Sequence, residues 1–242
     1  MKSVSFETRD EWETFREGKI SGAKADDIFS VKEVTVNDIK SVLDRKEIEY
    51  KKSANKAELM SLIPEDCSDE VKAKLVKKLG FYEILAYKVA VPEEGNEDPM
   101  ERGTRLEEEA VQAVAKKLGK DISNDLVVWV SDVNDALMYS PDGVISDEAV
   151  VETKCLSSAW HLYIFYEQEI PPQYRRQNVQ AFIVNEKLQT LYFACYDPRI
   201  PSLPLHIITI KREDIEAEIE EYKQYEIEMM EEINRLAAEL SF

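Results

Sequence analysis

Histidine is nearly missing from this chain. Only His161 and His206 occur in 242 residues, which leaves little room for a His-based metal site or catalytic triad, and each reads as a packed or surface residue. Cysteine is scarce as well. Cys67, Cys155 and Cys195 are odd in number and share no C-x-x-C spacing, so neither a disulfide framework nor a structural zinc site is indicated. No apolar run is long enough to span a bilayer, and residues Met1 to Glu7 lack the apolar core of a signal peptide. The expectation is a cytoplasmic protein without membrane attachment. Positive charge is outnumbered, with 31 Lys and Arg against 49 Asp and Glu, a net charge of −18. Such a surface argues against non-specific binding of nucleic acid by the whole exterior. Residues 212–242 hold three basic and eleven acidic side chains, so eight of the excess charges sit in that tail. The remainder leaves room for a basic groove inside an acidic exterior.

What is present is an ordinary folded composition, 44% hydrophobic and 33% charged, in a length that suits one large domain or one domain carrying a small insert. The informative stretch runs from Tyr139 to Cys155. Pro141-Asp142-Gly143 is a turn signal, and the apolar run Ala149, Val150, Val151 behind it reads as a strand. Strand alternation puts Glu152 and Lys154 on one face and Val151, Thr153 and Cys155 on the other, and lets Asp142 converge on the polar face. Two carboxylates meeting at one point suit a hard divalent cation such as Mg²⁺. A lysine beside them offers positive charge to a phosphate and can orient or deprotonate an attacking water. For an isolated Glu-x-Lys an exposed ion pair would be the simpler reading; the preceding Ser140-Pro141-Asp142-Gly143 turn favours a site.

Along the rest of the chain, Trp12 and Phe15 suit one face of a short helix ended by Gly18. Helices are expected over 36–43 and 56–63, with an extended link around Ile48 to Tyr50 and the pair Lys51-Lys52 between them. The break at 64–68 carries Asp66 and Ser68, either able to cap a helix expected from Glu70 to Leu79. A further apolar helix spans 81–87, and a polar loop spans 92–99. Leu106, Ala110, Val111, Val114 and Leu118 recur at helical spacing until Gly119, and Leu126 to Val130 reads as a buried strand. Trp160, Tyr163, Phe165 and Tyr166 suit core packing better than base stacking. The segment 171–184 reads as a helix with Gln177 and Gln180 on one face, 190–196 and 205–210 as strands, and the tail from Glu213 as one long amphipathic helix.

Asp142 with Glu152-Thr153-Lys154 resembles the PD-(D/E)xK nuclease signature, and the fuller strings Ser140-Pro141-Asp142-Gly143 and Val151-Glu152-Thr153-Lys154-Cys155 resemble the phage alkaline exonuclease branch, the lambda-exonuclease and YqaJ-type viral recombinases. Tyr192-Phe193-Ala194-Cys195-Tyr196-Asp197-Pro198-Arg199 resembles a further and more specific segment of that branch. Arg102-Gly103-Thr104-Arg105-Leu106-Glu107 resembles its first nuclease motif, which implies Glu107, rather than Glu108 or Glu109, at the metal. Trp12 to Ser21 resembles the opening in which an arginine grips a 5′-terminal phosphate, which implies Arg16 in that role. Ala23 stands where a second serine can occur, so Ser21, Lys24 or Ser140 would share the task. Tyr174 to Gln177 resembles the glutamine motif, with Val179 in place of the usual second glutamine; Gln177 is favoured and Gln180 is the alternate. Asp132, with Asp135 as competitor, stands at the spacing of another acidic position. Residues 30–70 resemble an HeH/LEM module, a relative of the SAP motif.

The resemblance implies an α/β fold with a PD-(D/E)xK restriction-endonuclease-like core: a central mixed sheet flanked by helices. Residues 1–29 and 71–242 would form the nuclease domain, interrupted by the helix–extended–helix insert at 30–70. It further implies a Mg²⁺-dependent 5′-to-3′ exonuclease acting on double-stranded DNA ends, with Mn²⁺ able to substitute, that leaves 3′ single strands for annealing. Asp142, Glu152 and the Thr153 carbonyl would hold the metal, Glu107 would serve it directly or through water, Lys154 would position water, and Gln177 would steady the site. Arg175, Arg176, Lys51 and Lys52 are candidates for DNA contact. A single-strand annealing protein and a ring-shaped trimer are the implied partner and assembly, in the host cytoplasm if the chain is phage-encoded. A PD-(D/E)xK endonuclease or resolvase, and a non-catalytic DNA-end-binding scaffold, are the alternative functions.

Overall fold

The computed structural model of the chain describes residues 7–20, 25–92 and 98–240, and the chain divides into two compact units, Met1–Leu85 and Ala86–Phe242. The first unit opens with α1 (Arg9–Arg16), whose N-cap Thr8 and Glu11 form a capping box, and Gly18 follows it at φ 63°. Helix α2 (Ala25–Ile28) leads into strand β1 (Phe29–Lys32). Helices α3 (Val36–Arg45) and α4 (Lys56–Ser61) each begin with a capping box, Thr35 with Asp38 and Asn55 with Glu58. Between them runs a link of turns and irregular backbone with no strand. Ile39, Val42, Leu43, Leu59, Cys67 and Val71 form a small core that Ile48 and Tyr50 of the link pack against.

The helix expected over 70–79 is not formed. Glu65–Cys67 is one 3₁₀ turn without a side-chain cap, and Lys74–Lys77 is strand β2, paired antiparallel with β1 so that Phe29 faces Lys77 and Lys32 faces Lys74. Asp66, a proposed cap, instead accepts from Lys46 Nζ at 2.9 Å. The partner strand lies more than forty residues upstream, beyond the reach of a local pattern. Helix α5 (Leu79–Val89) follows.

In the second unit α6 (Pro99–Leu118) has Pro99 at its first position, Asp98 as N-cap and Gly119 at φ 64° beyond its end. Strand pairing at 126–130 is shorter than its composition suggests. Only Trp129–Val130 (β3) is a strand, paired with Met138–Tyr139 (β4), and Leu126 is fully exposed because no strand among the described residues reaches it. Strands β5 (Gly143–Ser146) and β6 (Ala149–Lys154) form a hairpin. Helices α7 (Ser158–Glu167) and α8 (Pro172–Val184) carry the chain to β7 (Thr190–Tyr196), which pairs parallel with β6, and β8 (Leu205–Lys211) pairs antiparallel with β7. The result is a mixed four-stranded sheet in the order β5-β6-β7-β8. A parallel neighbour requires a long crossover, and α7 and α8 supply it. The chain ends in α9 (Arg212–Leu240), which departs from helical geometry at Ile215. No helix among the described residues is long and apolar enough to cross a membrane.

Alternation along β6 divides the sheet's two coverings. Val150 packs with Leu191, Phe193, Val179 and Phe182 on the α8 side. Val151 packs with Val114 of α6 and Ala194 on the other. Gly143 sits where a Cβ would come within 2.7 Å of Ile122 Cγ2, so this position opposite Val151 has no space for a side chain.

A buried ionic knot closes the end of the sheet. Asp197, fully buried, accepts from Arg102 Nη2 at 3.0 Å, Arg199 Nε at 2.8 Å and Ser158 Oγ at 2.6 Å. Arg102 Nη1 also donates to the Cys155 and Leu156 carbonyls at 2.8 and 3.1 Å. One carboxylate thus ties the start of α6, the exit of β6, the first turn of α7 and the turn after β7. Burial alone would raise its pKa, but the bonds from Arg199 and Ser158 and the Arg199 charge outweigh it and hold Asp197 below the usual carboxylate range. A depressed folded pKa means the unfolded chain binds more protons, so this stabilisation is present above the ordinary aspartate pKa and lost as pH falls through the folded value. Asp197→Asn takes the buried Asp197 charge away from both arginines and should cost about 3–5 kcal/mol. In urea melts the variant should also lose part of the wild-type decline in stability below about pH 4; an unchanged acid limb would contradict this account.

Candidate active site

Strand β6 delivers Glu152, Thr153 and Lys154 at the end of the sheet closed by the ionic knot. Glu152 is fully buried on the α8 side, and its carboxylate is held by three donors. Lys154 Nζ and Gln177 Nε2 each reach Oε1 at 2.6 Å, and Tyr139 Oη donates to Oε2 at 2.5 Å. Thr153 points the other way. Its backbone N–H and its Oγ1 donate to Asp142 Oδ2 at 2.6 and 3.0 Å, while Asp142 Oδ1 makes no hydrogen bond to the described residues. Lys154 is 19% exposed, and its ammonium lies 5.6 Å from the centroid of the Tyr174 ring.

The electrostatics follow from this geometry. Burial and the nearby Asp142 charge push the Glu152 carboxyl up, against the pull of Lys154. Burial opposes the charge on Lys154, but the Glu152 carboxylate beside it prevails and the ammonium is stabilised above its ordinary range. The Tyr139 phenol is raised well above its usual value by burial and by Glu152, so it acts as a donor. Glu107 of α6 is exposed in area, yet its carboxyl is raised by partial desolvation and by Asp142 and lowered by Lys154. Asp142, Glu152, Glu107 and Lys154 therefore share one field.

Among the described residues no group of three His, Cys, Asp or Glu side chains is gathered as a ready-made metal cage. The donors still fit Mg²⁺, which takes oxygen ligands and commonly binds through one or two carboxylates plus waters and substrate phosphates. The open Asp142 Oδ1 and the mutual repulsion of the carboxylates are the observations behind that fit.

Residues 11–187, more than half of the chain, match the model of the YqaJ-like viral recombinase domain. The chain belongs to the YqaJ-like viral recombinase family. No curated protein sequence matches it. The crystal structure of LHK-Exo in complex with dAMP is 21% identical, with a TM-score of 0.51, covering 96% of this chain and 100% of that one. That likeness concerns the fold: a mixed sheet flanked by helices. Another structure of LHK-Exo, described as an alkaline exonuclease from Laribacter hongkongensis, has the same identity and coverage at a TM-score of 0.49. A phage-related exonuclease from Haemophilus somnus 129PT is 12% identical at a TM-score of 0.38, covering 83% of this chain and 97% of that one.

Set on this YqaJ-like chain, the sequence candidates separate. Glu152, Lys154 and Gln177 come together, with Asp142, bonded to Thr153, and Glu107 in electrostatic reach. Gln180 does not join them: with its nitrogen facing α9, its amide donates to Glu226 at 2.9 and 2.6 Å. Arg175 is committed to Glu218, with Nε at 3.1 Å and Nη2 at 2.6 Å, and Arg176 lies over the Tyr222 ring. Ser140 donates to the Val127 carbonyl at 2.7 Å, and Asp132 and Asp135 are exposed. Glu109, expected to be solvated, accepts from Tyr196 Oη at 2.5 Å. In the first unit Arg16 is stacked on Trp12, 4.1 Å from its ring centroid, and Lys51 and Lys52 are exposed. Ser21 and Lys24 lie outside the described residues. His161 Nε2 donates to the Leu203 carbonyl at 2.9 Å, and His206 packs edge-on to Phe165, so both histidines are packed into the fold.

Sequence reasoning missed Tyr139 and the roles of Arg102 and Asp197. Tyr139 stands three residues before Asp142, but its partner Glu152 lies thirteen residues on, and only the fold joins them. Thr153→Val keeps the branched shape and the N–H bond and removes one charge-assisted bond to Asp142. A loss of about 1–2 kcal/mol is expected in urea unfolding at unchanged slope; an unshifted midpoint would show that the hydroxyl does not hold Asp142.

Proposed function

We propose that the chain is a Mg²⁺-dependent exonuclease of double-stranded DNA ends, working 5′ to 3′ in phage-type recombination and leaving 3′ overhangs for strand annealing. Membership of a viral recombinase family supports a nuclease acting in recombination. The observation that carries the finer reading is the gathering of Lys154 and Gln177 on Glu152 at the exit of β6, with Asp142 in the same electrostatic field. In this reading the sheet is a PD-(D/E)xK core. The small helix–link–helix core of the first unit is an HeH/LEM-like insert at 30–70. The active assembly is a ring-shaped oligomer that hands its product to a single-strand annealing protein.

Asp142 and Glu152, with the Thr153 carbonyl, would hold Mg²⁺ or Mn²⁺, and Glu107 would serve it directly or through water. When bound, the cation supplies an acidified water and neutralises charge growing on the phosphate oxygens. Lys154 keeps its ammonium beside the Glu152 carboxylate, where it can orient a water and face the scissile phosphate. Gln177 holds the shared Glu152 oxygen in place. Thr153 keeps Asp142 Oδ2 engaged and leaves Oδ1 for other partners. Arg16 and Ser21 are assigned to the 5′-phosphate, and Arg176, Lys51 and Lys52 to DNA backbone contact.

Lys154→Ala should lower cleavage by about 10²–10⁴-fold while DNA binding persists as the control for folding. Wild-type chain should degrade linear plasmid only with Mg²⁺, faster with a 5′-phosphate, and leave closed circles intact. Cutting of circles would replace the exonuclease with an endonuclease, and binding without loss of duplex would indicate a scaffold.

A further inference from the structure

We propose that Tyr139 is a positioning residue for the candidate nuclease centre, its hydroxyl setting the plane of the Glu152 carboxylate. This rests on Asp142, Glu152 and Lys154 being that centre.

A glutamate turns easily about its last torsion, where the energy wells are broad. Lys154 Nζ and Gln177 Nε2 both bond to Oε1, and two donors on one oxygen fix a point but not a plane. Oε2 is the second point, and Tyr139 Oη at 2.5 Å is the donor that holds it. The carboxylate has no access to solvent, so no water replaces a lost donor without rearrangement, and an unmet buried oxygen is costly.

Tyr139 is itself well anchored. It is 5% exposed, its backbone pairs with Trp129 in the β3–β4 ribbon, and the two rings lie 6.3 Å apart between centroids. It also belongs to the apolar cluster that includes Val150, Val179 and Phe193. The hydroxyl is therefore delivered by an element separate from both β6 and α8. Three elements converge on one carboxylate: β6 through Lys154, α8 through Gln177, and β4 through Tyr139.

The test is a cycle of four proteins: wild type, Tyr139→Phe, Glu152→Asp and the double variant. Aspartate keeps the charge but is too short to reach the hydroxyl. Free Mn²⁺ is titrated by electron paramagnetic resonance without DNA, and cleavage of 5′-phosphorylated linear duplex is followed separately. Tyr139→Phe should weaken Mn²⁺ binding by about tenfold and lower kcat by a similar factor, with KM for DNA unchanged. In the Glu152→Asp background the same change should add nothing. An unchanged Mn²⁺ affinity, or a full further loss in the double variant, overturns the proposal. Should Tyr139→Phe fail to fold, 3-fluorotyrosine at position 139 keeps the shape and strengthens the donor; Mn²⁺ affinity then holds or rises, and a tenfold fall overturns the proposal. Wild-type chain that binds no Mn²⁺ overturns the reading of the site itself, whereas normal wild-type binding with an indifferent Tyr139 overturns only the positioning role.

Discussion

A carboxylate with no access to solvent, placed in the second strand of a four-stranded sheet, sets the terms for its surroundings. Glu152 shares its face of the sheet with Val150, Leu191 and Phe193, where an unsatisfied anion would be prohibitively unstable. Donors must be brought to it, and each comes from a different part of the second unit. Lys154 follows two residues later on the same face, Gln177 comes from the crossover between the parallel strands, and Tyr139 comes from the ribbon before the hairpin. Parallel pairing of β6 with β7 is what obliges the chain to make that crossover. The upward shift of the Glu152 carboxyl is the remaining electrostatic tension, and positive charge near Asp142 and Glu152 relieves it.

The second fixed point is the buried Asp197 with Arg102 and Arg199. Its bonds reach the carbonyls of Cys155 and Leu156, the two residues after Lys154. The end of β6 is thus held from both sides, by side chains on its α8 face and by guanidinium groups at its exit. Arg102 and Glu107 lie on the same helix, so α6 helps to set this clamp and brings a third carboxylate into the Asp142 field.

Legibility from sequence followed the range of the interactions. Helix ends were readable where the signal is local, as at Gly18 and Gly119. The shared face of Glu152 and Lys154 followed from strand alternation, whereas the hairpin turn itself lies at Asp147 and Glu148, beyond the Pro141-Asp142-Gly143 signal. Strand β2 lies beyond a local pattern because its partner is distant, and Leu126 is exposed because apolar character does not supply a neighbouring strand. Gln177 and Gln180 looked alike on one helical face. Only the packing of α9 draws Gln180 towards Glu226 and leaves Gln177 facing Glu152. The string from Tyr192 to Arg199 carried family information without revealing its job, which is structural: Asp197 and Arg199 build the buried clamp and Tyr196 binds Glu109.

The crowding at Gly143 bears on how such a chain can vary. The residue adjoins Asp142, faces Val151 across the hairpin, and has Ile122 where a methyl group would go. Even alanine there must displace either the Ile122 side chain or the backbone that aims Asp142. Acceptable replacements at 143 would need a smaller residue at 122 to appear first, so the two positions are expected to drift as a pair, leaving the acidic turn itself undisturbed.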